Sequence, residues 1–392
     1  MSRIGILTFH NVINYGAILQ AYALQKKVED LGFDAELIDY NPQVRVDPPL
    51  SLMSTFTKLL GYLVKPRGFQ HLKRRFEIRV IKRIEDSLFR KDMEERYRAF
   101  NHFRRDYLRM SDISYQTNNI NDTDMIYDGV IAGSDQVWNP LITQNDLTYF
   151  LDFLNNPNKK ISYAPSFGSP NNISEEFQKE IAPLIRDIKH LSVREASGAE
   201  MVRVISNRDA VVVVDPTLLL TGDEWNEIIP EDRVKEPYIF CYAFFDDKEI
   251  KRLCNHLSEI TGLRLIRLSA YYDSFQRIKE HLDLSTIYVN GSGPLEFLSY
   301  LRNASIVVTN SFHGVILSLN FEKDFFAVSP RYGRERIIDT LKQYQLLDRL
   351  IENVNALPDK GNIRIEYSKI EDILKGDRER SIEFLRSALY SL

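Results

Sequence analysis

The chain has 392 residues and a mass of 45.7 kDa, of which 44% are hydrophobic and 27% charged. That length suggests two or three domains, each able to bury its own core, and the balance excludes collagen-like, low-complexity and disordered chains. A net charge of −4 and a sequence pI of about 6.1 argue against a general nucleic-acid binder.

From the amino end onward, short apolar runs rich in β-branched residues alternate with helical patterns, and hardly any hairpin signal separates them. This predicts an α/β fold of βαβ units around parallel sheets. Strands are expected at 4–9, 35–40, 129–133, 161–164, 191–194 and 211–214, then at 238–244, 263–268, 287–289, 306–308 and 325–328. Helices are expected at 18–28, 248–260, 294–303, 315–319, 336–345 and 369–389. Asp215-Pro216-Thr217 ends one strand and Glu236-Pro237 precedes the next long one, so the boundary between two doubly wound lobes is drawn there. The lobes are then 1–215 and 216–365, and the last segment, 366–392, is a helix free to pack back on the first lobe. Residues 51–110 break the pattern: they offer no strand candidate and carry 16 Lys+Arg against 7 Asp+Glu. They read as a helical insertion with a basic face, either a solvated helix pair or a surface that meets anionic lipid or a charged acceptor.

With only Cys241 and Cys254, and no CxxC, HExxH or paired Cys/His cluster, neither a disulfide framework nor a metal site is expected. The opening MSRIGILTFHN has too short an apolar run for a signal peptide, and no stretch approaches the roughly 18 apolar residues of a membrane span. The expectation is a cytoplasmic protein without a bound cofactor.

In parallel sheets ligands collect beyond the carboxyl ends of the strands, so the residues after each strand carry the functional reading. After the first strand, Asn14 or Asn11 is positioned to cap a helix, and Tyr15 and Gly16 lie where backbone N–H groups attract an anion; His10 is either a turn residue or a ligand contact. This is no GxGxxG fingerprint, and no dinucleotide site is read here. After the third strand comes Ser134-Asp135-Gln136-Val137-Trp138. Trp138 is either a platform for a sugar face or a core residue, and Asp135 either a ligand contact or a helix cap. Arg194 closes a strand and offers a guanidinium fork to phosphate or carboxylate, unless an acid such as Glu195 takes it. The strongest signal is Thr309-Asn310-Ser311-Phe312-His313-Gly314, between a buried strand and an apolar helix. Asn310 or Ser311 is the expected N-cap, and His313 in the first turn is a candidate proton shuttle. Downstream, Lys323, Arg331, Tyr332, Arg334 and Arg336 concentrate positive charge, read either as a solvated turn or as an anion site.

The segments FHNVINYGAILQAYALQ, AGSDQVWNP, YAPSFG, SVRE, VVVDPTLLL and TNSFHGVILSLNFEKDFFAV, in this order and spacing, resemble the polysaccharide pyruvyl transferase family over roughly residues 4–347. The resemblance implies two Rossmann-like lobes facing a cleft, similar to GT-B glycosyltransferases. It also implies transfer of pyruvate from phosphoenolpyruvate, a co-substrate rather than a cofactor, onto two hydroxyls of a sugar in a bacterial surface or capsular glycan. That glycan is often lipid-linked, which would bring the enzyme to the inner membrane face. Carried over by residue, the SVRE arginine is Arg194, a phosphoenolpyruvate contact, and the family histidine is His313, general acid or base. Some members have an arginine two positions before the histidine, where this chain has Ser311. Asn310, Ser311, Lys323, Arg331 and Arg334 are the further donor candidates. Asn14, Tyr15, Gly16, Ser134, Asp135, Gln136 and Trp138 are the acceptor candidates. Two alternatives stay open: a GT-B glycosyltransferase with a nucleotide-sugar donor, and a catalytically silent glycan-binding member.

Overall fold

The computed structural model describes residues 1–42, 90–169, 173–231, 234–244, 248–269, 285–329, 334–352 and 358–392. Two parallel sheets dominate it. The first contains β1 (Arg3–Leu7), β2 (Asp34–Tyr40), β3 (Met110–Tyr115), β4 (Gly129–Ala132) and β5 (Lys160–Ser162), in the order β3-β2-β1-β4-β5. A two-stranded extension, β6 (Ser192–Val193) with β7 (Val211–Val212), joins at the β5 edge through Ser162 and Ser192, whose hydroxyls exchange hydrogen bonds with each other's backbone. The second sheet contains β8 (Tyr238–Ala243), β9 (Arg264–Ser269), β10 (Thr286–Tyr288), β11 (Ile306–Thr309), β12 (Asp324–Val328) and β13 (Leu350–Ile351), in the order β10-β9-β8-β11-β12-β13. Every pairing between these strands is parallel, and β1, β4, β8 and β11 are almost wholly buried. Continuous apolar runs are what such doubly covered strands require.

The order of each sheet reverses between two adjacent central strands, β1 and β4 in the first and β8 and β11 in the second. Such a switch point opens a crevice at the carboxyl edge, because the flanking connections leave on opposite faces. Here the crevices are bordered by the starts of α1 (Tyr15–Asp30) and of the apolar helix after β11. One apolar cluster runs through both lobes, from Ile4 and Ile18 to Phe297, Leu317 and Leu385. Tyr15, at the head of α1, crosses between them: its ring packs on Phe100, Tyr242 and Phe297, and its hydroxyl donates to the Ser292 carbonyl at 2.6 Å.

Of the segment 51–110, residues up to 89 lie outside the described residues. Residues 90–107 form α2, and its basic residues are not all turned to solvent. Arg96 is buried, and donates to the carbonyls of Asn290 and Ser269 in the second lobe. Met110 begins β3, a strand that the sequence pattern does not reveal. The remaining described helices of more than one or two turns are α3 (Glu175–Asp187), α4 (Ala196–Ser206), α5 (Lys248–Thr261), α6 (Pro294–Asn303), α7 (Phe312–Asn320), α8 (Arg334–Gln343) and α9 (Glu371–Tyr390). At the start of α9's path across the first lobe, the Ser381 hydroxyl accepts from the Val214 N–H; at its end, Tyr390 donates to the Leu31 carbonyl. No described helix is long and apolar enough to cross a membrane.

Candidate functional site

The turn after β11 is fixed by its own side chains. Thr309 Oγ1 donates to the Tyr242 carbonyl and accepts from the Ser311 N–H. Gly314 is required because a Cβ there would strike the Thr309 side chain. Ser311 is the N-cap of α7, its hydroxyl accepting from Gly314 N, and Asn310 accepts from Phe244 N at 2.8 Å, tying the ends of β11 and β8 together. Asn310 Oδ1 and Ser311 Oγ, from the two candidate donor ligands nearest the histidine, thus accept the bonds that build the turn projecting His313. His313 is 6% exposed and points across the lobes. On one side its ring lies against Gly16 so closely that a Cβ at position 16 would fall inside the imidazole.

On the other side, His313 Nε2 is 3.5 Å from Asp215 Oδ2, within ion-pair range but without a hydrogen bond. The same Asp215 oxygen accepts from Arg194 Nη1 at 3.0 Å and from Ser134 Oγ at 3.1 Å. Its other oxygen caps the next turn, accepting from the backbone and hydroxyl of Thr217. Burial alone would raise the Asp215 pKa, but His313 and Arg194 more than offset it and hold the carboxyl well below the usual carboxylate range. Asp215, read from sequence only as a strand end and domain boundary, is the hub of the site. No spacing signal marked it, because Asp-Pro-Thr is equally good turn chemistry.

Arg194 is 6% exposed and touches three acids: Asp215, Glu195 at 3.4 Å and Asp135 at 3.7 Å. Glu195 is itself held by the Ser166 hydroxyl. Burial opposes the charge on Arg194, but the three carboxylates prevail and raise its pKa. Its Nη2 is buried without a partner, and its Cζ sits 4.4 Å from the centre of the Phe312 ring. Asp135 reaches this cluster from the turn after β4, with a left-handed backbone (φ 70°) that an aspartate tolerates better than most residues.

Other candidates are placed differently. The Trp138 ring is fully buried, stacked on Phe150 at 5.0 Å, with its indole N–H donating to the Tyr149 carbonyl; no face is left for a sugar. Asn14 caps α1, accepting from Ala17 N, and Gln136 accepts from Asn139. Tyr15 is locked between the lobes, and Gly16 backs the histidine rather than opening to solvent. His10 is a turn residue, its two ring nitrogens facing the Thr8 carbonyl and Asp39. Lys323 precedes β12 and so lies at the amino edge of the sheet, opposite the edge that carries His313. Arg334 is exposed and pairs with Glu352; Arg331 and Tyr332 lie outside the described residues.

A cavity of about 550 Å³ borders this cluster, lined by Arg194, Asp215 and Phe312 on one side and by Arg336 on α8 and Arg380 on α9 on the other. His313 does not line it, but both its neighbour Phe312 and the carboxylate it faces do. Among the described residues no group of three or more His, Cys, Asp or Glu side chains could hold a metal ion.

Solved structures with some likeness include UDP-GlcNAc 2-epimerase from Methanocaldococcus jannaschii, at 12% identity and a TM-score of 0.47 over 96% of this chain and 92% of that one. They also include UDP-GlcNAc 2-epimerase from Neisseria meningitidis, at 9% and 0.48 over the whole of both chains. Staphylococcus aureus TarM, at 11% identity and 0.47, covers 100% of this chain and 99% of its own. Likeness at this level carries no information on activity. No curated protein matches the sequence. The family model for polysaccharide pyruvyl transferase matches residues 14–332, from the cap of α1 through the turn that carries His313 and beyond, and the chain belongs to that family.

Proposed function

We propose that the chain transfers the pyruvyl group of phosphoenolpyruvate to two hydroxyls of a sugar, forming a cyclic ketal and releasing phosphate. The observation that carries this reading is the convergence of Arg194, Asp215 and His313, from two lobes, on one buried point. His313, protonated, gives its proton to the methylene carbon of the donor. The electron pair of the double bond forms the new C–H bond and leaves an oxocarbenium centre. A sugar hydroxyl oxygen attacks that centre, and its proton returns to the imidazole. Phosphate then leaves with the electron pair of its bond to carbon, and the second hydroxyl closes the ring, its proton leaving with phosphate. Asp215 supplies the charge opposite to the ring while the ring carries the proton, and Arg194 binds an anionic end of the donor. Donor and acceptor filling the cavity beside these residues would displace the water that otherwise captures the cationic centre. Asp135 and Ser134, beside this cluster, are the acceptor contacts we favour.

The glycan acceptor is lipid-linked in this reading, and the basic balance of residues 51–110 supplies the attraction to an anionic bilayer. Purified protein given phosphoenolpyruvate and a panel of bacterial glycan acceptors is expected to release phosphate only when an acceptor is present. The acceptor should gain the mass of a pyruvyl ketal. Phosphate release without that product, or binding of UDP-sugars but not of phosphoenolpyruvate, would overturn the reading.

A further inference from the structure

Arg336 lies on the inward face of α8, in register with Thr340 and Gln343, and all three line the cavity beside Phe312. Its Cζ is 5.6 Å from the Phe312 ring centre, so two guanidiniums, Arg194 and Arg336, share one aromatic neighbour. Among the described residues no carboxylate pairs with Arg336, and its Nε is buried with no partner. Arg194 beside it likewise keeps an unpartnered, buried Nη2. Buried polar groups are nearly always hydrogen-bonded, and two like charges close together need a shared counter-charge. Of the acids nearby, Asp215 is bonded to Arg194, Ser134 and Thr217, Glu195 to Ser166 and Arg194, and Asp377 to Arg380 and Gln343, while Asp135 stands 3.7 Å from Arg194; Asp339, on the same cavity wall as Arg336, makes no ion pair with it. Ala196, the first residue of the eleven-residue α4, also lines the cavity, and Glu195 makes no side-chain cap to that helix, so its positive end faces the same space.

We propose that Arg336 and Arg194 together form a phosphate seat in this cavity, with Arg336 as the second cation of the donor site. The name of the ligand rests on the pyruvyl-transfer reading; the seat itself rests on the two orphaned guanidinium N–H groups. Burial and the neighbouring Arg194 both disfavour the charge on Arg336, which a dianion between the two would restore.

The test is calorimetric titration of the full chain with inorganic phosphate and with phosphoenolpyruvate, comparing wild type, R336M, R336K and R334Q. R336M is expected to weaken both ligands at least tenfold and R336K to lie between, while R334Q, altered at a surface ion pair, binds as wild type. Thermal melting guards against misfolding. Without ligand R336M should melt at or above the wild-type temperature, since it removes an unpaired cation, and it should lose the rise that phosphate gives wild type. Unchanged binding in R336M, an equal loss in R334Q, or a wild type that binds neither ligand would overturn the proposal. The two readings fail separately. Pyruvylated product with an unaltered KM for phosphoenolpyruvate in R336M removes the seat alone. Arg336-dependent phosphate binding without any pyruvylated product removes the reaction alone.

Discussion

The turns after β4 and after β11 occupy the same place in their sheets, each at the switch point, and each follows a buried strand with a run of polar residues and one large aromatic. Their outcomes differ. After β4, Gln136, Trp138 and Asn139 turn inward on their own segment: Asn139 caps the short helix 140–143, Gln136 bonds Asn139, and Trp138 stacks in the core. Only Ser134 and Asp135 reach across to Arg194 and Asp215. After β11, Thr309, Asn310 and Ser311 likewise bond to their own turn and the end of β8, but they leave His313 projecting out of its own lobe against Gly16 and Asp215. A polar loop at a strand end is thus mostly self-supporting scaffold. Of the two turns, the one after β11 is the one that sends a side chain, His313, onto residues of the other lobe.

That contrast is broken most directly by removing the imidazole. H313A is expected to lower kcat by roughly 10²–10⁴-fold, the usual share of a general acid, with phosphoenolpyruvate binding by calorimetry retained. Full turnover in this variant would show that the β11 turn, like the β4 turn, is scaffold alone.

D215N comes next, because it strikes the point where both lobes meet. The change keeps volume but leaves Arg194 and His313 without their shared charge; breaking such a buried pair typically costs about 3–5 kcal/mol, read as a lower midpoint in urea. The pH dependence supplies a second reading. The Asp215 carboxyl titrates lower in the folded chain than its ordinary 3.8. Its contribution to stability is therefore complete above that value and is lost as pH falls toward the folded pKa. D215N should flatten this acid limb. An unchanged limb would mean that the carboxylate is not the hub.

G16A addresses the opposite wall of the histidine. The added methyl must displace the imidazole, and a shift of about 1 Å at a reacting group costs on the order of 10²-fold. The expectation is a kcat fall of this order with little change in KM for phosphoenolpyruvate. A change in acceptor KM with unaltered kcat would return Gly16 to the acceptor surface.

The sequence made the two sheets legible because doubly covered parallel strands are nearly unbroken apolar runs, and every one of the eleven expected strands is present within a few residues of its bounds. The strands it hid are edges. In β3, Asp112, Ile113 and Ser114 are exposed, and β13 is two residues long, so neither carries a period. His313 was legible because strand, polar turn, glycine and apolar helix follow in one unbroken stretch. Asp215 was not, since one of its oxygens does the capping work that its context advertises while the other serves residues 21 and 98 positions away in opposite directions along the chain. Arg336 was hidden among three arginines. Only the helical register, which turns 336 inward with 340 and 343 and leaves 334 at Glu352, tells them apart.

The smallest effect is the sharpest test of what a polar turn residue does. Ser311 stands beside the histidine, and its sequence position suggests a donor ligand; its geometry makes it the N-cap of α7, with its hydroxyl on Gly314 N. Loss of a serine cap costs about 1 kcal/mol. S311A is therefore expected to lower the unfolding free energy by that amount while binding phosphate and phosphoenolpyruvate as wild type does. S311G, which loses the hydroxyl but permits the same backbone, should cost only a few tenths of a kcal/mol relative to serine. A ligand contact would reverse this pattern, since both variants would lose affinity equally whatever their stability. The cap and ligand roles thus separate on two simple measurements, and the outcome decides whether the β11 turn contributes anything beyond its histidine.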